Sequence, residues 1–347
     1  MKVQRSLAAA AVAGITLLVA ACGGTESLGR GGSGTVTVYS ADGLGAWYFS
    51  QFYKFTKLTG IEVNLVEAGS GEVVSRVERE QSNPQADLLV TVPPFIQKAE
   101  QSGLLQTVGI DTSGIEASLI DPGGLSVPIV ENALSFIANP EANPQPTSWN
   151  DLLKPQFKGK VQYSTPGQAG DGTAVLVLLQ HLMGKRGALD YLAKLQVNNV
   201  GPASSTGGLQ PKVSNGDLLV ANGDVQMNLG SLRNYGSKFN IFFPAMPDHS
   251  RTTVSLPYVA GLTKGAPQRD GARKLLAFLI SDDVQTTVGP EAFGIPVKES
   301  IAKSSRLTDP KGPTALLSGA QIWVPDWTAV LSELDADIAA YQKAISS

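Results

Sequence analysis

The sequence predicts an α/β fold with a parallel sheet, carried by two lobes. From residue 35 onward, short β-branched runs alternate with stretches whose apolar residues recur at helical spacing. Strand–helix–strand alternation implies right-handed crossovers and parallel strands. Behind the N-terminal leader about 310 residues remain, more than one core comfortably holds, so the chain is expected to divide. A third observation bears on function. Short polar loops leave the carboxyl ends of the first three predicted strands, which is where open α/β sheets hold ligands.

Taken in order, "TVTVYS" (35–40) reads as a first strand, followed by a helix with Tyr48, Phe52 and Phe55 on one face and Gly60 as its stop. "IEVNLVEA" (61–68) alternates as a strand, and Val73, Val74 and Val77 mark the next helix. "ADLLVTV" (86–92) is a buried strand, and the helix from Phe95 to Ser102 ends at Gly103. A second unit starts near residue 135. "PTSWNDLLKPQFKGKVQYS" supplies a helix start, a connector and a strand, and that strand feeds "STPGQAGDGT" (164–173), directly ahead of an apolar helix. Further on, "ALDYLAKLQVNN" reads as helix, and "DVQMNLG" (224–230) and "FNIFFPA" as strands. "RTTVSLPYVAGLTK" (251–264) reads as a long extended segment. "GARKLLAFLIS" and "DWTAVLSELDADIAAYQKAI" are helical, and no repeat of 20 to 50 residues is present.

The chemistry concentrates in loops. "SADG" (Ser40, Ala41, Asp42), "GSGE" (Ser70, Gly71, Glu72) and "TVPP" (from Thr91) leave the first three strands. Ser40, Asp42 and Ser70 serve equally well as helix caps, but three such loops at one sheet edge make a candidate site. The glycine loop is a candidate anion site, since the first turn of a helix offers unpaired N–H groups and positive dipole. Gly167 and Gly172 have P-loop spacing, yet Thr173 stands where the phosphate-holding Lys belongs, so this is no nucleotide loop. Asp171 reads either as a helix cap or as a ligand contact.

Composition removes several classes. Cys22 is the only cysteine, which leaves no intrachain disulfide, catalytic thiol or thiolate metal site. His181 and His249 are the only histidines and lack metal-ligand spacing, and "EAGSGEV" around Ser70 is not a nucleophile elbow. A net charge of −3 without a basic stripe argues against nucleic acid. Lys2, Arg5 and the apolar run from Leu7 to Ala20 form a secretory signal too short to span a membrane. "VAAC" (19–22) is similar to a bacterial lipobox, so residues 1–21 are expected to be removed and Cys22 lipidated. Residues 22–34 have the composition of a flexible tether.

"VYSADGL", "LTGIEVNLVEAGSGEV", "NPQADLLVT", "SWNDLL" and "FKGKV", in this order, resemble the family 1 extracellular solute-binding proteins of ABC importers. "YSTPGQAGDGTAV" and "ANGDVQMNL" look most like the 2-aminoethylphosphonate binders among them. The resemblance implies a two-lobed type II periplasmic-binding-protein fold. Lobe one would hold residues 35–130 and 256–300, lobe two 131–255, and the helical segment 301–347 would pack on lobe two. It also implies a monomer without cofactor or metal, partnered by ABC permease and ATPase subunits and tethered outside the cell membrane. The phosphonate would take donors from Gly170, Gly172, Thr173, Ser164 and Thr165, with Ser40, Ser70 and Gly71 from lobe one. Asp42, Glu67, Glu72 and Asp171 are candidates for the ammonium. Tyr258 adds a ring face or hydroxyl, and Asn228 stands where ferric binders carry tyrosines. Phosphate, thiamine, polyamine and ferric iron are the rival solutes, and an extracytoplasmic enzyme acting on small phosphorylated compounds is the rival class.

Overall fold

A computed structural model describes residues 34–305 and 309–346. The signal, Cys22 and all but the end of the tether lie outside the described residues.

In lobe one, β1 (Thr35–Ala41) leads through α1 (Gly45–Thr59) to β2 (Glu62–Ala68), and α2 (Ser70–Arg79) leads to β3 (Leu88–Thr91). Both β2 and β3 lie parallel to β1, one on each side. Helix α1 forms where the sequence puts Tyr48, Phe52 and Phe55 on one face; these and Trp47 are buried, and Gly60 ends the helix in the left-handed conformation (φ 74°). After α3 (Phe95–Gln101) and β4 (Leu105–Gln106), β5 (Ser126–Val130) brings the chain to the lobe boundary.

Lobe two begins with β6 (Leu134–Ala138) and β7 (Val161–Gln162), followed by α4 (Gly170–Leu195), whose backbone breaks at Gly184 (φ 71°). Next come α5 (Leu209–Ser214), β8 (Val220–Asp224), α6 (Val225–Asn234) and β9 (Asn240–Phe242). The sheet order is β7-β8-β6-β9. The strand expected over 224–230 is therefore corrected. It ends at Asp224, whose carboxylate accepts the Met227 N–H at 2.6 Å and so starts a helix.

The segment expected to be extended over 251–264 is two strands, β10 (Thr252–Val254) and β11 (Tyr258–Thr263). Strand β11 returns to lobe one and runs antiparallel to β3, β4 and β5. The two crossings touch: Leu256 N–H donates to Asn132 O at 2.9 Å. Among the described residues, α7 (Arg269–Leu279), α8 (Asp282–Gln285), a π-helical turn (Val288–Ala292), α9 (Glu299–Ser305) and α10 (Pro313–Leu317) follow. Strand β12 (Gln321–Trp323) pairs with β10, and α11 (Trp327–Ile345) lies along α4, where the Tyr163 and Tyr341 hydroxyls meet at 2.9 Å.

Candidate functional site

The loop after β1 carries Asp42, and the one after β2 carries Gly69 with Ser70 as the first residue of α2. Lobe two opposes them with the glycine loop, the start of α4, the loop 203–208 and the start of α6. Contacts join the two sides. Asp42 Oδ2 accepts from Ser205 Oγ at 2.6 Å and from Gly207 N–H at 2.7 Å. Gly71 N–H donates to Gln168 O at 2.9 Å, and Gln226 Nε2 to Gly43 O at 3.0 Å. The cleft is closed.

Three carboxylates gather in it. Asp171 and Asp224 are buried, Asp42 is half-buried, and each repels another electrostatically. Tyr258, also buried, points its hydroxyl at Asp42 O (3.0 Å), Gln226 Oε1 (3.2 Å) and Asp224 Oδ2 (3.4 Å), so one proton serves three acceptors. Among the described residues no Lys or Arg pairs with any of the three acids. Burial raises the pKa of each. For Asp171 repulsion by Asp224 adds to it; for Asp42 the bonds from Ser205 and Gly207 offset part of it. Asp224 is pushed up to about 6 despite the Met227 N–H that its carboxylate accepts. At the mouth, burial and the neighbouring Asp42 charge raise the pKa of Glu67, and the Gly43 and Gly45 amides offset part of that.

These shifts have a pH consequence. A carboxyl group whose folded pKa exceeds its unfolded one binds more protons when folded. Its contribution is complete below the unfolded value and is lost as pH rises through the folded value. For Asp224 that window runs from its ordinary 3.8 to about 6. Thermal melts of the ligand-free protein should show this loss between pH 4 and 7, and an Asp224→Asn protein should show a smaller one. Identical pH profiles for the two would contradict the assignment.

The residues expected from the sequence divide into two groups. Asp42, Ser70, Gly71, Gly170, Asp171 and Tyr258 come together where the lobes meet. Most of the others are engaged within the protein. Ser40 Oγ donates to Ala41 O (2.8 Å) and Thr91 Oγ1 to Ser70 O (3.2 Å), while Ala41 is core. Glu72 is exposed on α2. Ser164 bonds with Asn222 and Thr206, and Thr165 Oγ1 accepts from Ala203 N–H. Asn228 faces lobe two, where its Nδ2 donates to Ser135 Oγ at 2.9 Å.

Thr173 needs the plainest correction. Its hydroxyl donates to Ala169 O (2.8 Å) and accepts from Gly167 N–H (2.9 Å), so no donor is left for a ligand. Thr173→Val should therefore cost about 1–2 kcal/mol of stability, mostly from the orphaned Gly167 amide, and change affinity less than threefold. Calorimetric unfolding and titration check the two halves. The glycines have a packing reason as well. A Cβ on Gly172 would overlap the Ser164 carbonyl, and one on Gly170 would overlap Val92 from the other lobe. Protein makes the close approach to the Cα atom at both, so glycine is needed there for packing whether or not the neighbouring amides hold a ligand.

Sequence reasoning missed Asp224, Ser205, Thr206, Gly207 and Gln226. The signals were present: "ASSTGG" (203–208) has the same hydroxyl- and glycine-rich composition as the loops singled out, and "NGDV" pairs a strand end with a helix cap.

A family model described as bacterial extracellular solute-binding protein matches residues 36–293. A Salmonella typhimurium protein named "Putative 2-aminoethylphosphonate-binding periplasmic protein" is 47% identical over 319 residues, covering 90% of this chain and 93% of that protein. Among solved structures, a periplasmic thiamin binding protein superposes with a TM-score of 0.76 at 18% identity, over 90% of this chain and 96% of its own. Iron-bound HitA from Pseudomonas aeruginosa gives 0.71 at 19%, over 89% and 99%. At these identities the two structures speak to the two-lobed fold alone.

Proposed function

This chain belongs to the bacterial extracellular solute-binding proteins, and from that premise we propose that its closed cleft captures 2-aminoethylphosphonate for an ABC importer. It is an extracytoplasmic binding protein and not an enzyme. The observation that carries the choice of ligand is the trio of buried Asp171 and Asp224 with half-buried Asp42, gathered with no pairing Lys or Arg among the described residues. Such a cluster is costly unless the ligand brings positive charge, and an ammonium supplies it.

The phosphonate goes to the facing starts of α2 and α4. There the amides of Gly170, Asp171 and Gly172 precede the first bond of the helix, Thr173 N–H to Ala169 O, and both helix dipoles favour an anion. Ser70 Oγ lies close to Gly170 at this junction. The rival solutes fit less well. Trp47 and Tyr48 are spent on the core, which leaves little to bracket a thiamine ring, and Met227, Asn228 and Leu229 occupy the region where iron would need phenolates.

Titration calorimetry against 2-aminoethylphosphonate, inorganic phosphate, spermidine, thiamine and ferric citrate tests the reading. Tight binding of 2-aminoethylphosphonate with at least a 100-fold margin over phosphate is the expected outcome. Tight ferric binding with none of the phosphonate overturns it. The chain is also proposed to be anchored through a lipidated Cys22; an unlipidated mature N-terminus by mass spectrometry refutes that.

A further inference from the structure

An open cavity of about 250 Å³ adjoins the acid cluster at Asp42, and neither Ser70 nor Gly170 lines it. It shares Asp42, Gly207 and Gln226 with the closed site: Gly207 N–H bonds Asp42 Oδ2, and Gln226 Oε1 faces the Tyr258 hydroxyl. Its remaining wall includes Met227, Phe293, Glu67 and Glu291; no Lys or Arg lines it, although Glu291 also accepts from Gln51 Nε2 at 3.0 Å and faces Lys54 Nζ at 3.9 Å outside the cavity. A ligand whose anionic end lies at the starts of α2 and α4 points its amino end this way. Parent 2-aminoethylphosphonate has nothing to place there.

We propose that this cavity is a subsite for substituents on the ligand's amine, so that the protein also takes N-methylated 2-aminoethylphosphonates, up to the trimethylammonium form. The proposal rests on the reading of the cleft given above. A methylated ammonium keeps its charge and carries an apolar shell. It therefore suits a wall of carboxylates interleaved with a thioether and an aromatic ring better than a neutral or anionic group does. The cavity holds three methyl groups without rearrangement of the lobes, since a methyl group occupies only about 30 Å³, comparable to a water molecule's share of liquid.

Two variants reach the cavity without touching the acid cluster. A Cβ on Gly230 would stand 3.4 Å from the Phe293 ring, an ordinary contact, so Gly230→Val is accommodated and its branches enter the space. Ala46 is exposed at the rim, so Ala46→Leu fills it from the other side without a folding cost. Calorimetric titration of each protein with the parent, N-methyl and N,N,N-trimethyl compounds provides the test. The unaltered protein should bind all three within about tenfold. Each variant should lose at least about tenfold for the trimethyl form, the usual penalty of overpacking, and less than threefold for the parent. If the parent binds and the trimethyl form is 100-fold weaker, the subsite is wrong and the phosphonate reading stands. Variants that leave the trimethyl form unaffected also overturn the subsite. If the parent itself fails to bind, the phosphonate reading falls and the subsite with it.

Discussion

Replacing Asp224 by Asn should weaken capture of 2-aminoethylphosphonate by about 100-fold or more while raising the melting temperature of the ligand-free protein. Removing one partner of a buried charge pair costs about 3–5 kcal/mol, and tenfold in affinity is about 1.4 kcal/mol. The amide keeps the shape, and Asn caps helices as well as Asp does, so α6 should still start at Val225 with the Met227 N–H satisfied. What disappears is the charge. At neutral pH the buried carboxylate, shifted from 3.8 to about 6, destabilises the empty protein by roughly 3 kcal/mol, at 1.36 kcal/mol per pKa unit. The neutral amide relieves most of that, a gain of several degrees for a protein of this size. Asp171→Asn should behave alike, because burial and Asp224 raise its pKa together. Calorimetry of binding and of unfolding on the same two proteins decides the matter. A lower melting temperature with unchanged affinity would make both acids structural and leave the ammonium without a site.

The opposed signs have a general source. An empty solute-binding cleft holds like charges together until the ligand arrives, so stability is sacrificed where binding needs it. Here the repulsion is held inside two rigid lobes. Tyr258 on β11 and Asp224 at the end of β8 come from different sheets, and Asp42 at the end of β1 meets Ser205 and Gly207 across the boundary.

The first three strands and three helices of lobe one were legible because each carried its own signal. Val73, Val74 and Val77 mark α2 by spacing, and "LLVT" marks β3 as a run buried throughout. Lobe two was harder to read where one residue serves two elements. Asp224 ends β8 and caps α6, so "DVQMNLG" shows strand-like composition over residues whose local bonding is helical. The site was half legible for a related reason. Asp42 and Asp171 stand in loops that announce themselves by glycine and hydroxyl content. Asp224 becomes a site residue only through its distance to Tyr258, which lies 34 positions along the chain. Hydroxyls were over-credited because a sequence cannot show which of them are already committed, as those of Ser40, Thr91 and Thr173 are.

The glycine loop separates folding from closure, and two alanine substitutions two residues apart should show it. In Gly172→Ala the new Cβ meets the Ser164 carbonyl and Thr165 backbone of the same lobe, which cannot yield without moving β7 and its loop. Overpacking against backbone costs about 1–3 kcal/mol, so the melting temperature should drop by several degrees with or without ligand. In Gly170→Ala the Cβ meets Val92 Cγ2 and Ser70 Oγ, side chains of the opposite lobe, and nothing in its own lobe lies nearer. The clash therefore exists only when the cleft is shut. The ligand-free melting temperature should stay within about a degree, since an open form relieves the contact. Affinity should fall about 10- to 100-fold, because a penalty on the binding-competent state divides directly into the apparent constant. Small-angle scattering at a 2-aminoethylphosphonate concentration that saturates only the unaltered protein should give a larger radius of gyration for Gly170→Ala, and the difference should vanish once the variant is saturated too. If instead both variants melt early and close normally, the two glycines share one packing role. The meeting of α2 and α4 would then be a fixed contact rather than the seam along which the cleft opens.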